Sequence, residues 1–598
     1  MSAKHRSGEG QGPHTPTSLT AVSERFFNFM AKASLTETHI ISESAWTIKW
    51  QALPAPVYNF GDFGGNMNHL IALSLLAAFP MDKMGQTVLM ETPDGEVSEA
   101  VQSEDLTQIA VAIYSYEDDM MRVIVNGKEK GTYLSIWDLK FTKDGNLAYV
   151  ALDTENKMYF VLGSKAYGPY DYVGEYVLSE DGQHYAFRIG TGGTWDEEGY
   201  YSGGKYAIFH DGKMGKEYEF ISLLTLSPDG SEVSYVAHKG GKWGPGAIYD
   251  GGKMYVVRGN KEDKKYDWLF NLVYSPDSKH LAYIAGSKGK WVNGEYMGGE
   301  RMVVVDAKAP KKKYPMVAGI VFDSAGTACY IAGLDGSWNE NNYYVGGTYF
   351  LVTGESQGKK HDFAKGLVAT KAGTVAYIAG EGGRWEAENY VGGDYFIVQG
   401  KRKTGPYNYI DLPVVAKEGD YYASLISTSG RWDPSGYYAE GKYMVVPNLG
   451  IPSKEYDNIN GITIVLGEKE GFAFLAYEGG EWYEGSYEGG KVFGVCNQKE
   501  SERYENIFPA SLNISPDGKH FSFTAQNPEN NKEFVVVDGQ PLEGEYDFVF
   551  DKMLLSADGK YLAYNSVLEN KVYLNVVEVA KALKKPKEPD KGKGKGGK

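Results

Sequence analysis

The sequence predicts an all-β fold, a β-propeller or propellers built from about eleven four-stranded repeat units. Three observations predict it. A turn of the form Ser-Pro-Asp-Gly recurs along most of the chain, a short apolar strand follows each copy, and a β-branched triplet comes later in the unit. The repeat length of about 36 to 50 residues suits one propeller blade.

The turn appears as Ser227-Pro228-Asp229-Gly230, Ser275-Pro276-Asp277-Ser278 and Ser515-Pro516-Asp517-Gly518. Looser copies begin at Thr142, Ser179 and Ser556, and worn ones lie near Ser103, Asp323, Thr370, Lys417 and Glu468. Pro presets φ at the first corner, Asp accepts local backbone hydrogen bonds, and Gly takes the positive φ that closes a hairpin. The strands that follow include Leu147-Ala148-Tyr149-Val150, Leu281-Ala282-Tyr283-Ile284 and Val375-Ala376-Tyr377-Ile378. Triplets such as Val303-Val304-Val305 and Val535-Val536-Val537 fit strands buried on both faces. A third landmark is Tyr followed by an acid, as in Tyr170-Asp171, Tyr218-Glu219, Tyr266-Asp267, Tyr456-Asp457, Tyr504-Glu505 and Tyr546-Asp547.

Ser275 to Tyr283 and Ser515 to Phe523 resemble the Ser-Pro-Asp-Gly-Lys-x-Leu-Ala-Tyr signature of the TolB-type, WD-repeat-like propeller family. The resemblance runs from about Gln102 to Val579 and implies the fold. It implies little about activity, because such propellers serve as scaffolds, binding modules and occasional enzymes. No copy of the α/β domain of TolB precedes the repeats, so the role of TolB is not implied.

Seven consecutive units carry an insert, a Trp followed seven or eight residues on by a double Gly. The tryptophans are Trp195, Trp243, Trp291, Trp338, Trp385, Trp432 and Trp482. The glycine pairs run from Gly203-Gly204 to Gly489-Gly490, with Glu440-Gly441 as the departure. Seven is a common blade number, so these units could close as one ring beside a partial second; a split of five and six blades into two propellers is equally allowed. The chain accordingly divides into a non-repeat segment 1–80, short units 81–178, Trp-bearing units 179–514, short units 515–580 and a Lys/Gly-rich tail 581–598.

The inserts are the candidate ligand-binding elements. Each sits between the same two strands, so all should extend from one face. Their tyrosines are Tyr201, Tyr249, Tyr296, Tyr344, Tyr390, Tyr438 and Tyr487. Aromatic rings interleaved with Asp, Glu and Asn suit a glycan, a peptide or a cation. The competing expectation is that each Trp seals its insert against the neighbouring blade. For the Tyr-acid pairs a metal would need converging carboxylates, and their fixed place better suits an acid that bonds a turn. His184, His280 and His520 share one repeat position and read as framework or surface, while His210, His238 and His361 lie singly.

The 598 residues carry 75 Gly, 46 Tyr and a formal charge of −17. The tail from Lys581 holds a net +6, which leaves −23 on the rest and argues against a nucleic-acid groove. No apolar run reaches the length of a spanning helix. Leu70 to Phe79 is the size of a signal-peptide core, and with a start at Met67 it implies a periplasmic or secreted protein; otherwise a cytoplasmic one. The tail should be solvated. Cys329 and Cys496 make neither a disulfide framework nor a structural zinc site. No P-loop or H-E-x-x-H string occurs, and no catalytic residue, metal site or cofactor is predicted. The expected function is therefore a non-enzymatic binding or scaffold protein for a protein, peptide or glycan partner. The alternative is a glycan- or ester-active enzyme with carboxylates in the central channel.

Overall fold

The computed structural model describes residues 84–91, 95–292, 295–432, 438–468, 470–483 and 486–583. The segment 1–80 with its signal-like run, and the tail beyond Leu583, lie outside the described residues.

Local chemistry builds each repeat. At the first full turn Ser227 Oγ donates to Asp229 Oδ1 at 2.6 Å, Gly230 N donates to Ser227 O at 2.7 Å, and Glu232 N donates to Ser227 Oγ at 3.0 Å. Gly230 sits at φ +70°, as the turn requires. The same Ser-to-Asp bond closes the turns at Ser179, Ser275 and Ser515. Each turn joins the first strand of a unit to a second strand that is buried nearly throughout, such as Leu281–Ser287 or Phe472–Glu478.

Among the described residues, eleven antiparallel sheets of three to five strands result. Blade 1 runs from Glu96–Gln102 to Lys128–Tyr133, blade 2 from Ser135–Phe141 to Lys165–Tyr170, and blade 3 from Tyr172–Leu178 to Lys213–Met214. Blades 4 to 10 open at Phe220, Trp268, Met316, Phe363, Tyr409, Asn458 and Asn513. Blade 11 takes Phe548–Leu555, Tyr561–Leu568 and Lys571–Glu578 from the C-terminal end and its outer strand, Gly85–Glu91, from the N-terminal end. First strands of neighbouring blades pack on one another and are the innermost of each sheet.

The core is divided in the same way. Each buried cluster joins two consecutive blades, for instance Ala110, Val123 and Tyr149 across blades 1 and 2, or Ile284, Tyr330 and Phe350 across blades 5 and 6. The series ends where Phe550 and Val572 of blade 11 meet Ile109 and Val111 of blade 1. Gln102 Nε2 donates to Asn565 Oδ1 at 2.7 Å over the same seam. The sheets therefore form one closed cycle of eleven. This replaces both expected divisions, seven blades with a partial second ring and a split of five and six. The first Trp-bearing blade packs on blades 2 and 4, and the seventh on blades 8 and 10. The physical reason is that every Trp-bearing blade keeps the same packing faces as the short ones, so the insert adds a feature to one edge without changing which blade docks next.

Candidate binding face

The insert is a hairpin that extends the second and third strands. In blade 3 it is continuous with the sheet, as Tyr185–Trp195 paired to Tyr201–His210. In blades 4 to 9 it is a separate two-stranded ribbon, as in Lys290–Val292 with Glu295–Met297. The same connection in blades of the same topology leaves the ring on the same face, so the seven hairpins form an arc on one side.

Three kinds of interaction hold the hairpins. The first is the tyrosine. Gly193 N donates to Tyr201 Oη at 2.8 Å, Gly289 N to Tyr296 Oη at 2.7 Å, and Gly336 N to Tyr344 Oη at 2.9 Å. Tyr249, Tyr390 and Tyr487 accept from Gly241, Gly383 and Gly480 in the same way, while Tyr438 donates to Ser429 O. Six of these rings are buried and Tyr487 is half-buried. Their hydroxyls are thus engaged beneath the hairpin.

The second is the acid of the Tyr-acid landmark. Asp171 Oδ2 accepts from Gly192 N at 2.8 Å, Glu219 Oε2 from Gly240 N at 2.6 Å, and Asp457 Oδ2 from Gly479 N at 3.0 Å. Lys157 and the Gly192 amide hold the Asp171 carboxyl below its ordinary range, and Lys442 and the Gly479 amide do the same for Asp457. These acids pin a turn, as their fixed place in the repeat suggests.

The third is the tryptophan, which in blades 4 to 9 bridges to the preceding blade. Trp243 lies 5.7 Å from the ring of Tyr206, Trp385 stacks on Tyr349 at 5.8 Å, and Trp432 and Trp482 meet Tyr395 and Tyr443 at 6.1 and 5.9 Å. Trp291 packs in a cluster with Met254. At Trp338 the preceding blade supplies Arg301, whose guanidinium lies 3.9 Å from the ring centroid and 4.9 Å from that of Trp268. Arg301 is buried, its Nε has no hydrogen-bond partner, and burial pushes its pKa down to about 10. It stands where Tyr206, Tyr349 and Tyr443 stand in their blades, each pairing with the residue that begins the next connection. Six tryptophans are half-buried, and Trp195, which donates to Asp171 O at 3.3 Å, is 38% exposed. The structure thus brings together packing and partial exposure in the same rings.

Sequence reasoning read His238 as lying singly and passed over Ser222, whose Oγ lies 2.8 Å from the His238 Nε2 in blade 4. The distance is that of a nucleophile and its base. Burial, with the Arg188 charge nearby, pushes the imidazole down to about 3, which makes it a poor base. Glu99, on the innermost strand of blade 1, is pushed up to about 7 by burial, and its Oε1 accepts from Leu139 N of blade 2 at 2.9 Å. Glu175 reaches Leu224 N of blade 4 from blade 3 at 3.4 Å, so both carboxyls clip adjacent blades. Both cysteines are buried free thiols, and burial pushes Cys496 up to about 12.

No sequence-family profile and no curated protein matches the chain. Among solved structures it is similar to a crystal structure of the eukaryotic initiation factor, with 11% identity over 67% of this chain and 96% of that one and a TM-score of 0.32. It is also similar to the β-propeller domain of the Trilobed protease from Pyrococcus furiosus, with 11% identity over 55% and 94% and a TM-score of 0.26. Prolyl oligopeptidase B from Galerina marginata matches at 9% identity over 66% of this chain and 55% of that one, with a TM-score of 0.27. At such identities and scores these likenesses carry no argument, and the propeller assignment rests on the sheet order and the closed cycle of interfaces.

Proposed function

We propose that the protein is a non-enzymatic binding or scaffold propeller of the TolB-like repeat type, which presents the arc of tryptophan hairpins to a glycan, peptide or protein partner. The supporting observation is the set of seven hairpins, each leaving part of an indole at the surface beside acids and amides. A rigid aromatic surface with little conformational entropy to lose suits stacking against a sugar or peptide. Export to the periplasm or the extracellular space belongs to the same proposal, on the apolar run 70–79.

Arrayed glycans and peptides test the reading, with Trp195→Ala as the binding variant and Trp385→Ala as the packing control. Trp385 contacts Tyr349, Phe363 and Tyr390, so its truncation should cost about 3 kcal/mol of stability. Trp195→Ala should lower stability by about 1 kcal/mol or less and still weaken binding at least tenfold. Retention of full affinity in Trp195→Ala and in a Trp195/Trp482 double variant, with the fold intact, would remove the face from consideration.

A further inference from the structure

On the face opposite the tryptophan hairpins, three blades share a small motif. His184, His280 and His520 follow the Ser-x-Asp turns of blades 3, 5 and 10, and each Nδ1 lies 2.6 Å from an Asp Oδ2, that of Asp211, Asp306 or Asp538. Each Asp keeps its other oxygen on backbone, with Oδ1 accepting from Tyr185 N at 3.0 Å, Leu281 N at 3.1 Å and Phe521 N at 3.1 Å. This is a structural clip, tying the end of the third strand to the start of the second.

Blade 3 differs from the other two by one side chain. The residue before the Asp pairs with Ala186, Ala282 or Ser522 of the second strand, and it is Val305 in blade 5 and Val537 in blade 10. In blade 3 it is His210. Its Nε2 lies 3.4 Å from Asp211 Oδ2 without hydrogen-bond geometry, and this buried nitrogen has no other partner. An imidazole nitrogen removed from water and left unbonded is costly, and blades 5 and 10 keep the same clip with a valine in its place. The donor atoms of His184, His210 and Asp211 all lie within 4.8 Å of one another.

We propose that His184 Nδ1, His210 Nε2 and Asp211 Oδ2 form a site for a zinc-type divalent cation. Two imidazoles and a carboxylate are the donors of a three-ligand zinc site, whose fourth position is taken by water. The nitrogens select a borderline metal over Mg²⁺ or Ca²⁺, which prefer all-oxygen shells. The cation replaces the direct contact between His184 and Asp211. The 2.6 Å separation then widens to admit two metal–ligand bonds of about 2.0–2.1 Å. The supports are already present: His184 N donates to Ser179 Oγ at 2.9 Å, Gly230 of blade 4 packs on the His184 ring, and the Tyr185 amide holds Asp211. The half-exposure of all three side chains leaves room for the water.

The test is titration of the chelator-treated full chain with Zn²⁺ and with Mg²⁺, read by calorimetry, native mass spectrometry and melting temperature. One equivalent of Zn²⁺ should bind and raise the melting temperature, and Mg²⁺ should do neither. His210→Val installs the residue of blades 5 and 10, and should weaken Zn²⁺ binding at least tenfold while the protein stays folded. Asp211→Asn should do the same. Asn126, Asn448 and Asn497 already make the equivalent backbone clip in blades 1, 8 and 9, which protects the fold of that variant. His280→Ala in blade 5 should leave binding unchanged. No Zn²⁺ binding, binding that survives both blade 3 variants, or an equal loss in His280→Ala would each overturn the site.

Discussion

At the scale of the residue, repetition separates framework from departure. Asp211, Asp306 and Asp538 do one job in three blades, as Glu99 and Glu175 do in two, whereas His210, Arg301 and His238 are visible because their counterparts are different residues. Glu99 and His238 set a pH dependence. Burial raises Glu99 from its ordinary 4.5 to about 7, so the folded state holds a proton that the unfolded state releases in that window. Its contribution is fully present below 4.5 and is lost as pH rises through about 7. His238 is depressed from 6.5 to about 3, so its contribution is present above 6.5 and is lost as pH falls toward 3. Glu99→Gln should therefore raise the melting temperature at pH 8 relative to the parent and have little effect at pH 4. His238→Gln should flatten the decline between pH 6.5 and 4. Melting curves across pH 4 to 8 check both signs.

The hairpin, at the scale of the element, explains why glycine comes in pairs and why one pair is broken. A Cβ on Gly346, Gly251 or Gly298 would point into open space. On the second glycine, Gly347, it would collide with Leu334 O and Gly336 N of the facing strand, and Gly252 and Gly299 are equally closed. Glu440 occupies the first position at φ +62°, where only backbone strain opposes a side chain. Gly346→Ala should then cost about 1 kcal/mol, and Gly347→Ala about 4 kcal/mol or more. Chemical denaturation of the two variants distinguishes them, and equal costs would mean that the tight approach is not what the second glycine serves. The turns were legible for a related reason, since Ser, Asp and Gly in Ser227 to Gly230 act on atoms within five residues. The acids were legible as landmarks only, and the hairpin tyrosines as ligand-binding candidates, because Tyr201 meets Gly193, and Asp171 meets Gly192, across the sheet.

At the scale of the whole molecule, closure depends on the outer strand of blade 11. Gly85–Glu91 pairs with Lys571–Glu578, and Met90 is buried among Ile109, Val111 and Val572 at the seam between the last blade and the first. A chain lacking residues up to Glu91 should lose several degrees of melting temperature. Its amide exchange should quicken first in Lys571–Glu578 and Ile109–Ser115, while blades 4 to 8 stay protected. Uniform loss of protection would show instead that the ring unfolds as one unit. The sequence alone determined the strand content, the turn chemistry, the eleven units and the common face of the inserts, because each follows from interactions inside one repeat. Only the tertiary structure decided that eleven blades close in a single cycle, that Arg301 lies between Trp268 and Trp338, and that His210 stands beside His184 and Asp211. Those outcomes depend on how one blade docks on the next and on pairings between strands separated in the chain, and such packing leaves no local pattern to read.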